Sequence, residues 1–240
     1  MSSKSYVYQT GTVNSLLDAV YDGDVSVSEL TSYGNFGIGA LDAINGEMIL
    51  HNGICYRADA EGKLSILSNL VKTPFAMVNK FQSEIEFTLE GNISFLDLEQ
   101  RILDKLPSRN LIYAIEITCD LNSITLRSER CTCKPYRKLI EILPALQTTF
   151  SFENLSGTLV GFWFPDYMSQ LNIPGFHFHF IDNDKKVGGH VFGLNLSSAI
   201  CKLQILHGFH MELINTPEFY QANLSFNNQD EVAQVEQVRE

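Results

Sequence analysis

A run of alternating aromatic and histidine residues constrains the fold of this chain more than any other feature. In Phe176-His177-Phe178-His179-Phe180 the period is two, so a β-strand would place the phenylalanines on one face and both histidines on the other. The polar residues 182–184 and the glycines 188–189 then supply the turn chemistry of a hairpin, which would bring His190 alongside the pair. The pattern therefore predicts three imidazoles on one face of two neighbouring strands.

Three imidazoles with an open side indicate a metal site. Catalytic zinc is typically held by three protein ligands and keeps one position for water or substrate. A hydrogen-bonded pair of core histidines is the alternative, but the phenylalanines already supply the core face of this strand. The sequence therefore favours a metal at His177, His179 and His190. Imidazole also binds iron, copper and nickel, so the spacing leaves the identity of the metal open.

Charge and composition narrow the range of partners. The 240 residues include 17 Lys and Arg against 28 Asp and Glu, a net charge of −11, which argues against nucleic acid or an anionic membrane as the main partner. With 45% hydrophobic residues, the chain can bury a sizeable core. An anionic substrate would therefore need a local cation, either a metal or a particular arginine.

Two further features predict a cytoplasmic location. The first residues lack the continuous apolar segment of a secretory signal, and no apolar run has the length of a membrane span. The five cysteines are an odd number, which does not suit a disulfide framework.

Hydrophobic periodicity predicts an α/β protein that is, more narrowly, a strand-dominated α+β fold with few short helices. Helices are expected at residues 13–21, at 94–106 after a Ser94–Asp97 capping box, and at 135–143. Strands are expected at residues 36–40, 47–50, 54–57, 73–81, 84–89, 110–119, 123–127, 148–152, 158–164, 176–182, 190–196, 199–206 and 209–214. Residues 120–122 are expected to form a turn between two strands. The arrangement suggests a sheet followed by a barrel-like second half.

Two charged residues in predicted strands have no role on pattern alone. Glu47 begins a strand and by itself is typical of a solvated strand-end carboxylate. Arg127 likewise is typical of a surface residue, although a guanidinium can clamp a carboxylate through two hydrogen bonds. The sequence contains no phosphate loop, nucleophile elbow or dinucleotide fingerprint, so the histidines carry the strongest chemical signal.

Short motifs follow one another along the whole chain in a recognisable order. The first half contains Tyr8-Gln9-Thr10-Gly11-Thr12, Gly34-Asn35-Phe36-Gly37-Ile38-Gly39, Asn45-Gly46-Glu47 and Thr73-Pro74-Phe75-Ala76. The second half contains Gly157-Thr158-Leu159-Val160-Gly161-Phe162, Pro165-Asp166-Tyr167, Pro174-Gly175 before the histidine strand, and Gly188-Gly189-His190-Val191. Together they resemble the alpha-acetolactate decarboxylase family over essentially the entire chain.

That resemblance implies a fold and an oligomeric state. The family fold is a mixed β-sheet half packed with an antiparallel β-barrel half. We expect one domain over residues 1–240, with the mixed sheet over 1–147 and the barrel, which carries the histidines, over 148–240. The resemblance also implies a homodimer.

The resemblance further implies site residues. His177, His179 and His190 match the zinc ligands of the family. Glu47 matches an active-site glutamate near the metal, and Arg127 matches the arginine that faces the substrate. Glu236 matches a glutamate near the C-terminus that enters the site, with Glu231 and Glu240 as nearby alternatives. Ala40 stands where relatives often carry threonine, so a hydroxyl contact from that position is absent here.

The activity implied is decarboxylation of (S)-2-acetolactate (2-hydroxy-2-methyl-3-oxobutanoate) to (R)-acetoin and carbon dioxide, a step of acetoin biosynthesis. Zinc would act as a Lewis acid on the hydroxyl and ketone oxygens and stabilise the enediolate. Arg127 would hold the carboxylate. Glu47 or Glu236 would orient the hydroxyl or deliver a proton to one face.

Two other functions fit the histidine pattern. A cupin-like metal oxygenase or isomerase also places His-x-His on barrel strands, but expects a glutamate a few residues later, where this chain has Asp182, Asn183 and Asp184. A non-catalytic metal-binding or ligand-binding module would bind tightly without releasing carbon dioxide.

Overall fold

Two large β-sheets and a small two-stranded sheet organise residues 5–224, which are the part of the chain that the computed structural model describes. The strands are β1 (Tyr6–Thr10), β2 (Val25–Ser26), β3 (Phe36–Ala40), β4 (Glu47–His51), β5 (Ile54–Ala58), β6 (Leu64–Ile66), β7 (Lys72–Thr73), β8 (Phe75–Asn79), β9 (Ile85–Ser94), β10 (Ile112–Glu129), β11 (Gln147–Phe164), β12 (Gly175–Asp182), β13 (Gly188–Leu206) and β14 (Gly208–Glu212). The helices are α1 (Val13–Leu17), α2 (Val27–Tyr33), α3 (Phe95–Leu103), α4 (Leu139–Leu146) and α5 (Pro217–Gln221), with short 3₁₀ turns at Asp42–Ile44 and Asp166–Met168.

The first sheet is mixed and the second is antiparallel, as expected. The first has the order β14-β1-β8-β3-β4-β5-β6, and its parallel pair is β14 with β1. The second has the order β10-β11-β12-β13-β9, and a further pairing of β10 with β13 curls it into a barrel. Closure is partial, because β12 reaches only residues 188–190 of β13, while β9 pairs farther along the same strand.

The two sheets do not follow the expected boundary at residue 147. Strands β9 and β10, which precede that residue, pair within the second sheet, and β14, near the other end of the chain, pairs in the first. The reason is that β13 finds antiparallel partners in both β9 and β10.

The prediction of a turn at residues 120–122 is wrong. Strand β10 runs without a break from Ile112 to Glu129, and the polar residues form an irregularity in its pairing with β13. Asp120 stays in the strand because its carboxylate accepts hydrogen bonds from Ser156 and Ser198 on the neighbouring strands. Residues 148–164 and 190–206, each expected as two strands, are likewise continuous in β11 and β13.

The helices are few and short, as expected. Ser94 caps α3 by accepting a hydrogen bond from the backbone N–H of Asp97, and its hydroxyl donates to the Asp97 carboxylate, so the N-cap predicted from sequence is confirmed. The first helix ends at Leu17, earlier than expected, and α4 begins at Leu139. Within residues 5–224, no helix is long and apolar enough to cross a membrane.

Side-chain alternation separates the core into layers and leaves one interface between the sheets. On β12, Phe178 and Phe180 lie in the core of the barrel, while Ile181 belongs to the apolar layer between the sheets. On β4, Ile49 lies in that same layer, whereas Leu50 lies on the other side of the first sheet. The odd-numbered residues of both strands therefore face each other across the interface.

Candidate metal centre

The predicted histidine hairpin is present. Strands β12 and β13 are antiparallel neighbours, and His179 and His190 are register partners across them. The turn between them is held by Asp182, whose carboxylate accepts the backbone N–H groups of Lys186 and Val187. His177 precedes His179 by two residues, so both project from the face of β12 that looks toward the first sheet.

The three imidazoles converge on one point. Nε2 of His177 lies 3.2 Å from Nε2 of His179 and 3.1 Å from Nδ1 of His190. All three residues are buried, and their ligand atoms lie within 4.8 Å of one another. Nitrogens bound tetrahedrally at about 2.0–2.1 Å would stand roughly 3.3 Å apart, so the separations fit a divalent metal.

The backbone of β4 sets the tautomer of one candidate metal ligand. Nδ1 of His179 lies 2.9 Å from the carbonyl oxygen of Met48, which can only accept, so the proton resides on Nδ1 and the lone pair on Nε2. Burial lowers the pKa of His179 to about 3, and the charge of Arg127 acts in the same direction, while the bond to Met48 acts against it. The imidazole is therefore neutral near pH 7, the form that binds metals.

Glu47 stands at the edge of the histidine cluster. Its Oε2 lies 3.4 Å from Nε2 of His179, and only 8% of the residue is exposed. The expectation of a solvated strand-end carboxylate is wrong, because Glu47 shares the face of β4 with Ile49 and therefore points into the interface between the sheets.

Arg127 is also buried rather than on the surface. It is the register partner of His190 across the β10–β13 ladder and is 2% exposed. Its Nη1 donates to Oε1 of Gln147 at 3.1 Å, and its guanidinium carbon lies 5.7 Å from the ring centroid of Phe192. These contacts hold the cation beside the histidines, where a carboxylate could bind it.

Sequence reasoning missed a second carboxyl group at this site. Glu129, two residues beyond Arg127 on β10, is 5% exposed and shares a side-chain hydrogen bond with Glu47. Burial raises the pKa of Glu129, although the charge of Arg127 opposes the shift. The period-two spacing from Arg127 was the available signal, since residues i and i+2 of a strand share a face.

The other residues predicted from sequence are the C-terminal glutamates and the acidic residues of a cupin-like site. Glu236, with Glu231 and Glu240, lies outside the described residues. Asp182 is engaged by the turn between β12 and β13, so it is not placed as the carboxylate ligand of a cupin-like site.

Comparison with known proteins relates the whole chain to one family. A sequence model described as alpha-acetolactate decarboxylase matches residues 7–226. The chain is 38% identical to the alpha-acetolactate decarboxylase of Methanosarcina mazei over 235 residues, which covers 98% of this chain and 81% of that protein. It is 36% identical to the Bacillus subtilis enzyme of the same name, over 92% of this chain and 86% of that protein.

The fold agrees with this relationship. The crystal structure of alpha-acetolactate decarboxylase from Bacillus subtilis strain 168 superposes with a TM-score of 0.93 at 35% identity. The superposition covers 96% of this chain and 98% of that one.

Proposed function

The chain belongs to the alpha-acetolactate decarboxylase family, and from that premise we propose how its residues convert 2-acetolactate to acetoin and carbon dioxide. The observation that carries the proposal is the placement of a buried arginine beside three convergent imidazoles. Arg127 is the register partner of His190, whose ring lies in the cluster. A cation for a carboxylate and a metal for neighbouring oxygens are what a 2-hydroxy-3-oxo acid requires.

His177, His179 and His190 would hold the metal through neutral nitrogens, which leave the ion its full positive charge. When bound, a divalent metal supplies Lewis acidity toward the hydroxyl and ketone oxygens, where negative charge develops as the carboxylate leaves. The protein's own contribution is to bring the reacting groups into position around that centre.

Arg127 binds the carboxylate of the substrate. Its guanidinium offers paired N–H donors that match two carboxylate oxygens, and its bond to Gln147 fixes the plane of the group. By holding the carboxylate out of the plane of the developing enediolate, Arg127 aligns the carbon–carbon bond for cleavage.

Glu47 orients the substrate hydroxyl or supplies the proton. Its carboxyl oxygen, 3.4 Å from His179, is close enough to the cluster to accept a hydrogen bond from the substrate hydroxyl or to donate a proton to one face of the enediolate. A single protonated face yields one enantiomer, which for the (S) substrate is (R)-acetoin. Glu236 is the second carboxyl group that we propose for this step.

Three finer properties belong to the same proposal. The family resemblance supports zinc as the metal, and the three-histidine group supports one ion per chain. The resemblance also supports a homodimer, which light scattering of the purified protein tests. A cytoplasmic location is supported by the five cysteines, all of them free.

The activity is tested by incubating the purified protein with racemic acetolactate and measuring acetoin, carbon dioxide and dissolved oxygen together. We expect acetoin and carbon dioxide in equal amounts with no oxygen consumption. Oxygen uptake in place of carbon dioxide release would identify the cupin-like oxygenase instead. Tight metal binding without either product would identify a binding module.

A further inference from the structure

Glu129 occupies a position that the reaction described above does not use. It is almost fully buried, and the groups that face it are the carboxyl of Glu47, through a hydrogen bond, and the charge of Arg127. Its register partner on β11 is Gln147, whose side chain accepts a hydrogen bond from Arg127. A buried carboxyl group is costly unless its polar atoms are satisfied, so this placement calls for a reason.

The backbone around Glu129 is fixed to the strand pair that carries Glu47. Oγ of Ser128 donates to the carbonyl oxygen of Ala58 at 2.9 Å, and Ala58 is the register partner of Glu47. The hydroxyl of Thr148 donates to the carbonyl oxygen of Ser128 at 3.2 Å and also bonds Ala60. These bonds fix the position of the end of β10 relative to β5. Because β5 pairs with β4, they also fix it relative to Glu47.

We propose that Glu129 is a positioning residue that fixes the Glu47 carboxyl against the histidine cluster. The inference rests on the role proposed above for Glu47. Without Glu129, the Glu47 carboxyl would lose this hydrogen bond. Its freedom to rotate would then reduce the fraction of time in which it faces the substrate hydroxyl.

The hydrogen bond between the two groups explains how such a pair is stable. Two carboxyl groups bond when one of them carries a proton. Burial raises the pKa of Glu129, whereas the charge of Arg127 and the hydrogen bond with Glu47 act to lower it. A glutamine in this place could also bond Glu47, because its amide offers both a donor and an acceptor at nearly the same distance. Positioning therefore depends on a polar group of this length and not on a negative charge.

Three variants of Glu129 test this role. Glu129→Gln keeps the length and the hydrogen bond, so we expect kcat within about threefold of the wild type. Glu129→Met keeps the length without the bond, and Glu129→Asp keeps the carboxyl group but falls short of Glu47. For both we expect kcat to fall roughly 10- to 100-fold, with KM changed less than about threefold and the metal content unchanged. Thermal unfolding identifies any variant that does not fold, and Glu129→Asp then replaces Glu129→Met.

Measuring the same substitution in a Glu47→Gln protein distinguishes a positioning role from a general loss of activity. If Glu129 acts through Glu47, then Glu129→Met should lower kcat no further in a Glu47→Gln protein. Wild-type kcat in both Glu129→Met and Glu129→Asp would overturn the inference. So would a Glu129→Gln variant as slow as Glu129→Met, effects that multiply in the double variant, or loss of metal on substitution. Wild-type kcat in Glu47→Gln alone would instead contradict the role of Glu47.

Discussion

Arg127 and His190 are direct register partners in the ladder between β10 and β13. A guanidinium and one imidazole of the candidate metal site are thereby set side by side by main-chain hydrogen bonds, rather than by flexible loops. A rigid sheet holds such groups more accurately than a loop does. The spacing between the group proposed to bind the carboxylate and the candidate metal site is therefore a property of strand register.

Replacing Arg127 by lysine should impair the enzyme although the charge is kept. Lysine cannot present two parallel N–H donors to a carboxylate and lacks the plane that Gln147 fixes. We expect kcat/KM to fall roughly 10- to 100-fold, in line with the loss of about 1.5–3 kcal/mol for a hydrogen bond to a charged group. Arg130→Lys, at a half-exposed arginine paired with Glu61, is the matched control and should leave kcat/KM unchanged. Equal kinetics for the two variants would contradict the role of Arg127.

Gly189 should be intolerant of a side chain, because it precedes His190 on the strand that contacts β10. A Cβ atom there would stand 2.8 Å from the carbonyl oxygen of Arg127 and would push the two strands apart. We expect Gly189→Ala to lower metal affinity and the melting temperature together. Gly53→Ala, in the tight turn between β4 and β5, has a positive φ but no atom within 4 Å, and so controls for backbone strain alone. Wild-type metal affinity in Gly189→Ala would refute the prediction.

A hydrogen bond between the sheets should make stability depend on pH. Nε2 of His51, at the end of β4, lies 3.1 Å from Oε2 of Glu116 on β10, and this hydrogen bond lowers the pKa of Glu116. A carboxyl group whose pKa is lower in the folded state stabilises the protein above its unfolded pKa of about 4.3. That contribution is lost as the pH falls through the folded pKa.

Glu116→Gln should therefore be less stable than the wild type at pH 6.5, by about 1 kcal/mol. The difference in free energy of unfolding should shrink as the pH drops below about 4.3. Urea unfolding across this range measures it, with Glu90→Gln, at an exposed glutamate, as the control. A difference that stays constant with pH would show that the ionised Glu116 carboxylate is not its source.

The histidine hairpin was predictable because its information is local. Period-two alternation fixes which residues of β12 share a face, and the glycines and Asp182 fix the return of the chain to His190. The same locality explains the success at Ser94, whose hydroxyl caps α3. The capping contacts lie within three residues of one another.

The rest of the site could not be predicted from the residues alone because it depends on contacts between distant strands. Glu47 and Arg127 both occupy sequence contexts typical of the surface, and only the packing of β4 against the barrel buries them. Glu129 joins the site through Glu47, 82 positions earlier in the chain. The turn predicted at residues 120–122 was wrong for a related reason, because hydrogen bonds from adjacent strands keep Asp120 inside β10.

Metal content and turnover measured on the same sample test the proposed metal site most directly. Metal analysis and acetoin formation from racemic acetolactate should be compared between the wild type, His179→Ala and the exposed His207→Ala. We predict about one divalent metal per chain and rapid turnover in the wild type and in His207→Ala, with both properties lost in His179→Ala. Full turnover by a metal-free His179→Ala protein would contradict the proposed centre.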